Sequence, residues 1–126
     1  MTILIVEDHV NMSRIIKEWL EEEFSQFNFV LASSAGEAIG FCQNIAPRLV
    51  IMDINLPDIS GIDALSDIKA IRPHTDVVML TIHENGAYRE AAEKAGASAY
   101  VTKRELYEDL IPVLNNLLYN QNRLER

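Results

Sequence analysis

A chain of 126 residues has room for one domain, and its hydrophobic fraction of 48% and charged fraction of 24% are those of an ordinary globular protein. The formal net charge of −8 argues against this chain binding nucleic acid by itself, because phosphate contacts need a basic face. No run of about 18 apolar residues is present to span a membrane, and the start, MTILIVED, turns acidic where a signal peptide would be basic.

Residues 3–6 form a short continuous apolar run, read as a first strand, which ends at Glu7 and Asp8. Met12, Ile15, Ile16, Trp19 and Leu20 then recur at helical spacing, with Glu21, Glu22 and Glu23 as a solvated helix end. A second strand is expected over 29–32. The capping box Ser34-Ala35-Gly36-Glu37 follows, in which hydroxyl and carboxylate each satisfy a free backbone N–H. Ala38, Ile39 and Cys42 mark the helix it opens. Cys42 reads as a core residue, and as the only cysteine it excludes an internal disulfide and fits a reducing, cytoplasmic setting.

The third apolar run, 49–52, ends in Asp53 and turns at once through Asn55 and Pro57. Ser60 caps a helix marked by Ile62, Leu65, Ile68 and Ile71, with Pro73 beyond its end. Residues 77–80 are a fourth strand, ending at Thr81. Asn85-Gly86 is a turn into a small-residue helix (Ala87, Ala91, Ala92, Ala95), closed by Gly96. Residues 99–101 are a fifth strand, followed by Thr102 and Lys103. Leu110, Leu114, Leu117 and Leu118 mark a last helix. Its Pro112 fits a start near Glu108, where first-turn amides have no partner to lose. The domain spans 1–118, and the polar segment 119–126 (YNQNRLER) reads as a tail or the start of a linker.

The five apolar runs are continuous rather than alternating, as in strands covered on both faces. Strict β-α alternation predicts an α/β fold, with a parallel sheet, helices on both faces and right-handed crossovers. Ligands of such sheets bind beyond the carboxyl ends of the strands. Glu7, Asp8, Asp53, Thr81 and Lys103 all stand there. Three carboxylates at close range repel one another, and a hard divalent cation such as Mg²⁺ or Mn²⁺ resolves the conflict with oxygen ligands. The lack of a Cys/His cluster disfavours zinc. His9, His74 and His83 are scattered and read as non-ligands, His9 lying at the start of the first helix beside the acidic pair. Lys103 offers a compact positive charge for a phosphoryl oxygen and Thr81 a hydroxyl, a set suited to phosphoryl transfer with Asp53 as nucleophile.

The stretches LIVED (4–8), MDINLPDISG (52–61), MLTIHE (79–84) and YVTK (100–103), in this order and spacing, resemble the receiver domains of two-component response regulators. The wording is most similar to receivers of LuxR-type transcriptional regulators. The resemblance covers residues 2–118 and implies a single flavodoxin-like (βα)5 domain with strand order 2-1-3-4-5. It implies that Asp53 accepts a phosphoryl group from a sensor histidine kinase or phosphotransfer protein. Glu7, Asp8, Asp53 and the backbone carbonyl of Asn55 would hold Mg²⁺, and Lys103 would pair with the phosphoryl group. Thr81 would swing to meet it and Tyr100 would follow inward, remodelling the fourth helix and fifth strand. Asn55 and His83 resemble positions that tune acyl-phosphate lifetime. The implied output is transcription, through a helix-turn-helix domain not in this chain, with a homodimer through helical faces as a further expectation.

Two departures stand out. The acidic pair is Glu-Asp where many relatives have Asp-Asp. Arg104 replaces a proline that many relatives join by a cis bond, so a trans bond and a looser loop after Lys103 are expected. A phosphatase with an aspartyl nucleophile would carry a second Asp at the position of Asn55 and a cap domain. A flavin-binding protein of this architecture would carry a phosphate-cradling loop after the first strand. The remaining alternative is a stand-alone or phosphorylation-independent interaction module, against which the complete set of Asp53, Thr81, Lys103 and the acidic pair argues.

Overall fold

A computed structural model describes residues 1–119; the expected tail lies, from residue 120 on, outside the described residues. Strands and helices alternate as β1 Thr2–Val6, α1 Val10–Glu23, β2 Asn28–Ala32, α2 Ala35–Asn44, β3 Leu49–Met52, α3 Gly61–Ile71, β4 Asp76–Thr81, α4 Gly86–Ala95, β5 Ala99–Thr102 and α5 Leu106–Tyr119. All strand pairs are parallel, in the order β2-β1-β3-β4-β5, with Ile5 opposite both Leu31 and Ile51 and Thr81 opposite Thr102. Successive side chains of a strand point to opposite faces, which divides the core in two. Ile3, Ile5 and Leu49 pack with Ile16 and Leu20 of α1 and Leu110 and Leu114 of α5. Leu4, Val6 and Met52 pack with Cys42, Leu65, Ile68 and Ala92 of α2, α3 and α4. Burying each leucine- or isoleucine-sized side chain contributes roughly 1.5–3 kcal/mol.

The expectation that every strand is covered on both faces holds for β3 and β4, which are buried throughout, and fails at the sheet edges. β2 pairs only with β1 and leaves Leu31 39% exposed, while Ala99 and Tyr100 of β5 are half-buried. An apolar run does not distinguish a central strand from an edge strand. On α1 the buried residues are Ser13, Ile16 and Leu20, and Ile15, counted in the apolar stripe, stands 50% exposed. α5 begins at Leu106 rather than near Glu108, so Pro112 lies inside the helix. It removes the amide that would bond the Glu108 carbonyl, which sits on an exposed residue where water can replace it.

At the end of the sheet away from the strand carboxyl ends, Arg48 ties three elements together. Its Nη1 lies 2.9 Å from Asp76 Oδ2, and its Nη2 donates to the Leu117 carbonyl at 2.6 Å. The N-terminus of α2 is held more firmly than its capping box predicts. Ser34 Oγ accepts from Glu37 N–H at 3.1 Å, but Glu37 reaches back to the N–H and hydroxyl of Ser33, both at 2.7 Å, rather than to Ser34. Asp58, from the loop after β3, accepts from Ala35 N–H at 3.0 Å and Gly36 N–H at 2.8 Å.

These bonds, the one from Gly36 foremost, hold the Asp58 carboxyl below its usual pKa. A lowered folded-state pKa adds stability that is present above the unfolded value of about 3.9 and lost as pH falls through the folded one. We therefore expect Asp58→Asn to lose less stability than the wild type between about pH 5 and about pH 3, because only the wild type has this carboxylate to protonate. Urea midpoints at the two pH values measure it. Identical acid-limb slopes in both proteins would count against the clamp.

Candidate functional site

The parallel register brings the residues that follow β1, β3, β4 and β5 to one end of the sheet. Asp53 follows β3 directly, its N–H donating to the Val6 carbonyl at 3.1 Å, and is 4% exposed. Glu7, also 4% exposed, follows β1 and donates its N–H to the Ala32 carbonyl at 3.0 Å. Lys103 reaches in from the 3-10 turn Lys103–Glu105 after β5. Its Nζ lies 2.6 Å from Glu7 Oε1 and 2.8 Å from Asp53 Oδ2. One ammonium thus bridges two buried carboxylates that would otherwise repel. Burial acts to lower the Lys103 pKa, but the bonds from Asp53 and Glu7 and their charges outweigh it, and the net shift is upward.

Asp8, the residue after Glu7, is half-buried. Its Oδ1 is itself buried and accepts no hydrogen bond, although His9 Nδ1 lies 3.3 Å away as a possible ion-pair partner. The other face of Glu7 is also occupied. Its Oε2 lies 3.2 Å from His9 Nδ1 and accepts from His9 N–H at 3.3 Å. The bond from Glu7, then the charges of Asp8 and Glu7, raise the His9 pKa above its ordinary value. Ligand atoms of Glu7, Asp8 and His9 lie within 4.8 Å of one another. An orphaned carboxylate oxygen in an oxygen-rich crevice suits a hard divalent cation better than a soft one. The residues present therefore fit Mg²⁺ or Mn²⁺.

Asp53 Oδ1 accepts from Asn55 N–H at 3.0 Å, so the turn after β3 is folded back on its own carboxylate. Gly61 closes that turn, donating its N–H to the Ile54 carbonyl at 2.7 Å. Thr81, fully buried, accepts from His83 N–H at 3.2 Å, which leaves its hydroxyl hydrogen free to donate. Tyr100 donates its hydroxyl to the His83 carbonyl at 2.8 Å, and the Arg89 guanidinium lies over its ring, 4.6 Å from the centroid. The structure thus brings Glu7, Asp53 and Lys103 into direct contact, and it places Asp8 with Glu7 and His9. Thr81 and Tyr100 bond to His83, and neither bonds to Asp53 or Lys103 among the described residues. The segment after Lys103, where Arg104 replaces proline, is a 3-10 turn, with the trans peptide bonds expected there. Thr102 Oγ1 donates to Glu105 Oε1 at 2.9 Å across it, and Arg104 lies 3.4 Å from Glu84.

Sequence reasoning missed the long-range partners. Nothing in the spacing shows that Asp58 clamps α2, that Arg89 covers Tyr100, or that Asn55 and His83 meet. Only the Asp58 position, in a turn opposite a helix start rich in free N–H groups, carried a faint signal.

The family model described as "Response regulator receiver domain" matches residues 3–115. The "Chemotaxis protein CheY" of Halobacterium salinarum is 36% identical over 101 residues, 80% of this chain and 82% of that protein. A crystal structure of a response regulator receiver domain protein from Clostridium thermocellum shares 33% identity at a TM-score of 0.84, covering 99% of this chain and 98% of the other. That of a LuxR-family two-component response regulator from Aurantimonas sp. SI85-9A1 shares 30% identity at a TM-score of 0.79, over 90% and 84%. Three curated transcriptional regulatory proteins, two from Mycobacterium tuberculosis and one from Brevibacillus brevis, also match, and the chain spans about half their length: 50%, 48% and 43%. Among the described residues no helix is long and apolar enough to cross a membrane.

Proposed function

The chain belongs to the response regulator receiver domain family, and from that premise we propose that Asp53 accepts a phosphoryl group, turning this signalling domain from one surface state to another. The observation that carries the reading is the Lys103 bridge, in which one ammonium lies 2.6 Å from Glu7 Oε1 and 2.8 Å from Asp53 Oδ2. The donor is the phosphohistidine of a sensor histidine kinase or phosphotransfer protein. An Asp53 oxygen forms the new bond to phosphorus, the P–N bond breaks, and the imidazole departs with the electron pair and takes up a proton. Glu7, Asp8, Asp53 and the Asn55 carbonyl would hold Mg²⁺ or Mn²⁺, whose positive charge offsets that of the phosphoryl oxygens. Lys103 leaves its two carboxylates to pair with one phosphoryl oxygen. Thr81 turns its free hydroxyl toward another, and Tyr100 gives up the His83 carbonyl and moves inward. Hydrolysis of the acyl phosphate, tuned by Asn55 and His83, resets the domain.

For a shift from 1:99 to 99:1 between surface states, phosphorylation must favour the active one by about 5.5 kcal/mol. The half-length match to transcriptional regulators supports transcription as the output, through the helix-turn-helix domain that the resemblance to LuxR-type receivers implies. The 82% coverage of the chemotaxis protein supports a second reading, in which the receiver acts alone by binding a protein.

In Mg²⁺ with a small acyl-phosphate donor, the wild type is expected to gain one phosphoryl mass, about 80 Da, that Asp53→Asn does not gain. No adduct, together with no binding of a metallofluoride phosphate mimic, would sink the reading.

A further inference from the structure

The crevice carries a cross-link between two loops that the spacing of motifs does not reveal. Asn55 follows Asp53 by two residues and bonds it through its N–H at 3.0 Å; His83 follows Thr81 by two and bonds its hydroxyl through its N–H at 3.2 Å. The side chains of this matched pair meet, His83 Nε2 lying 3.0 Å from Asn55 Oδ1. The bridge joins the loops after β3 and β4 beside Asp53, which is only 4% exposed. A half-buried imidazole at the surface would ordinarily sample several rotamers and break such a bond. Here the ring of Tyr88, from the first turn of α4, stacks on it with centroids 4.1 Å apart and planes 15° from parallel. Tyr88 is itself 37% exposed and touches neither Asp53 nor Lys103, and Ala92 is the only buried residue of its helix. The residue therefore contributes little to the core, and its strongest contact is the imidazole.

We propose that Tyr88 is a positioning residue acting through His83: by stacking on the imidazole it keeps the His83–Asn55 bridge closed over Asp53 and slows both arrival of phosphoryl donors and hydrolysis of the product. The proposal rests on Asp53 being the phosphoryl acceptor. In the hydrolytic step a water oxygen bonds to phosphorus, the P–O bond to Asp53 breaks, and the carboxylate leaves with the electron pair. The water protons pass to phosphate and solvent. A closed bridge obstructs the water and the small donor alike, so opening it speeds gain and loss together. Mere loosening of the site would act differently, because misplacing Asp53 and Lys103 slows the gain.

The test follows gain and loss of phosphoryl mass in Mg²⁺ with a small acyl-phosphate donor, for the wild type, Tyr88→Ala, Tyr88→Phe, His83→Ala and the double variant Tyr88→Ala/His83→Ala. A stacked aromatic pair should change both rates about threefold to tenfold. Tyr88→Ala is expected to raise both, Tyr88→Phe to keep wild-type rates, and the double variant to add nothing to His83→Ala, since the two residues act as one unit. Unchanged rates in Tyr88→Ala, a slower gain, a Tyr88→Phe that behaves like alanine, or additive effects in the double variant each overturn the proposal and leave the Asp53 reading intact. A wild type that takes up no phosphoryl group overturns both. Should Tyr88→Ala fail to fold, Tyr88→Leu, which restores bulk without a flat face, is held to the same outcomes as alanine.

Discussion

Gly61→Ala is expected to destabilise the fold by about 3 kcal/mol, at the upper end of what overpacking costs, and to abolish phosphoryl uptake in the molecules that still fold. A Cβ at Gly61 would land on the Asp53 carbonyl oxygen and within 2.8 Å of Ile54 Cα and 2.9 Å of the Asp53 carbonyl carbon. Backbone cannot step aside as the tip of a flexible side chain can. The glycine is required by this close approach and not by its own torsions, since the only positive-φ glycine is Gly96. Any relief must move the segment from Asp53 to Ile54, which carries the proposed acceptor carboxylate, or break the bond from Gly61 N–H to the Ile54 carbonyl at 2.7 Å. Urea denaturation and the phosphoryl mass shift read the two consequences separately. Wild-type stability and uptake in Gly61→Ala would show that the turn relaxes without disturbing the site.

The second large effect is expected at Lys103. Lys103→Met leaves Glu7 and Asp53, with side chains 3% and 5% exposed, facing each other without the ammonium 2.6 Å and 2.8 Å away. Removing one partner of a buried charge cluster costs about 3 kcal/mol at neutral pH, because the charges left behind are neither solvated nor paired. The pH dependence has a definite sign. The raised pKa of Lys103 gives the wild type a contribution present below the unfolded value of about 10.4 and lost only as pH rises through the folded value. In the variant no ammonium is left there to titrate, so its part of the alkaline loss of stability should be absent. Lys103→Arg keeps a charge and should recover much of the stability. Millimolar Mg²⁺ should also stabilise Lys103→Met more than the wild type, because binding to the native state alone shifts the unfolding equilibrium and the ammonium no longer competes. Denaturation of the three proteins at pH 7, with and without Mg²⁺, and at about pH 11 without it, checks all of this. Equal stabilities throughout would refute the idea that Lys103 neutralises the crevice.

Much of the fold was legible because periodicity is a local property. Residues 49–52 are all apolar, and they are a strand buried on both faces; Leu110, Leu114, Leu117 and Leu118 recur at helical spacing, and all four are buried. The same reasoning failed where burial depends on neighbours that are distant in sequence. Phe29 to Ala32 read like a central strand but lie at an edge, and Ile15 read like core but faces outward. The start of α5 was misjudged because Pro112 was allowed to set it, whereas an exposed Glu108 carbonyl tolerates losing its amide partner.

The site divides along the same line. By itself the sequence determined that Glu7, Asp8, Asp53, Thr81 and Lys103 stand at strand ends, because each follows an apolar run. Alternation of strand and helix then makes those ends coincide, since right-handed parallel crossovers bring every strand out on the same side. Only the tertiary structure decided who meets whom there. Lys103 crosses 96 residues to reach Glu7, Asp58 crosses 22 to cap Gly36, and His83 crosses 28 to meet Asn55 beneath Tyr88. Such pairings depend on strand order and on loop paths set by close contacts like that of Gly61 with Asp53. Pattern places a residue on an element; packing of the elements gives its side chain a partner.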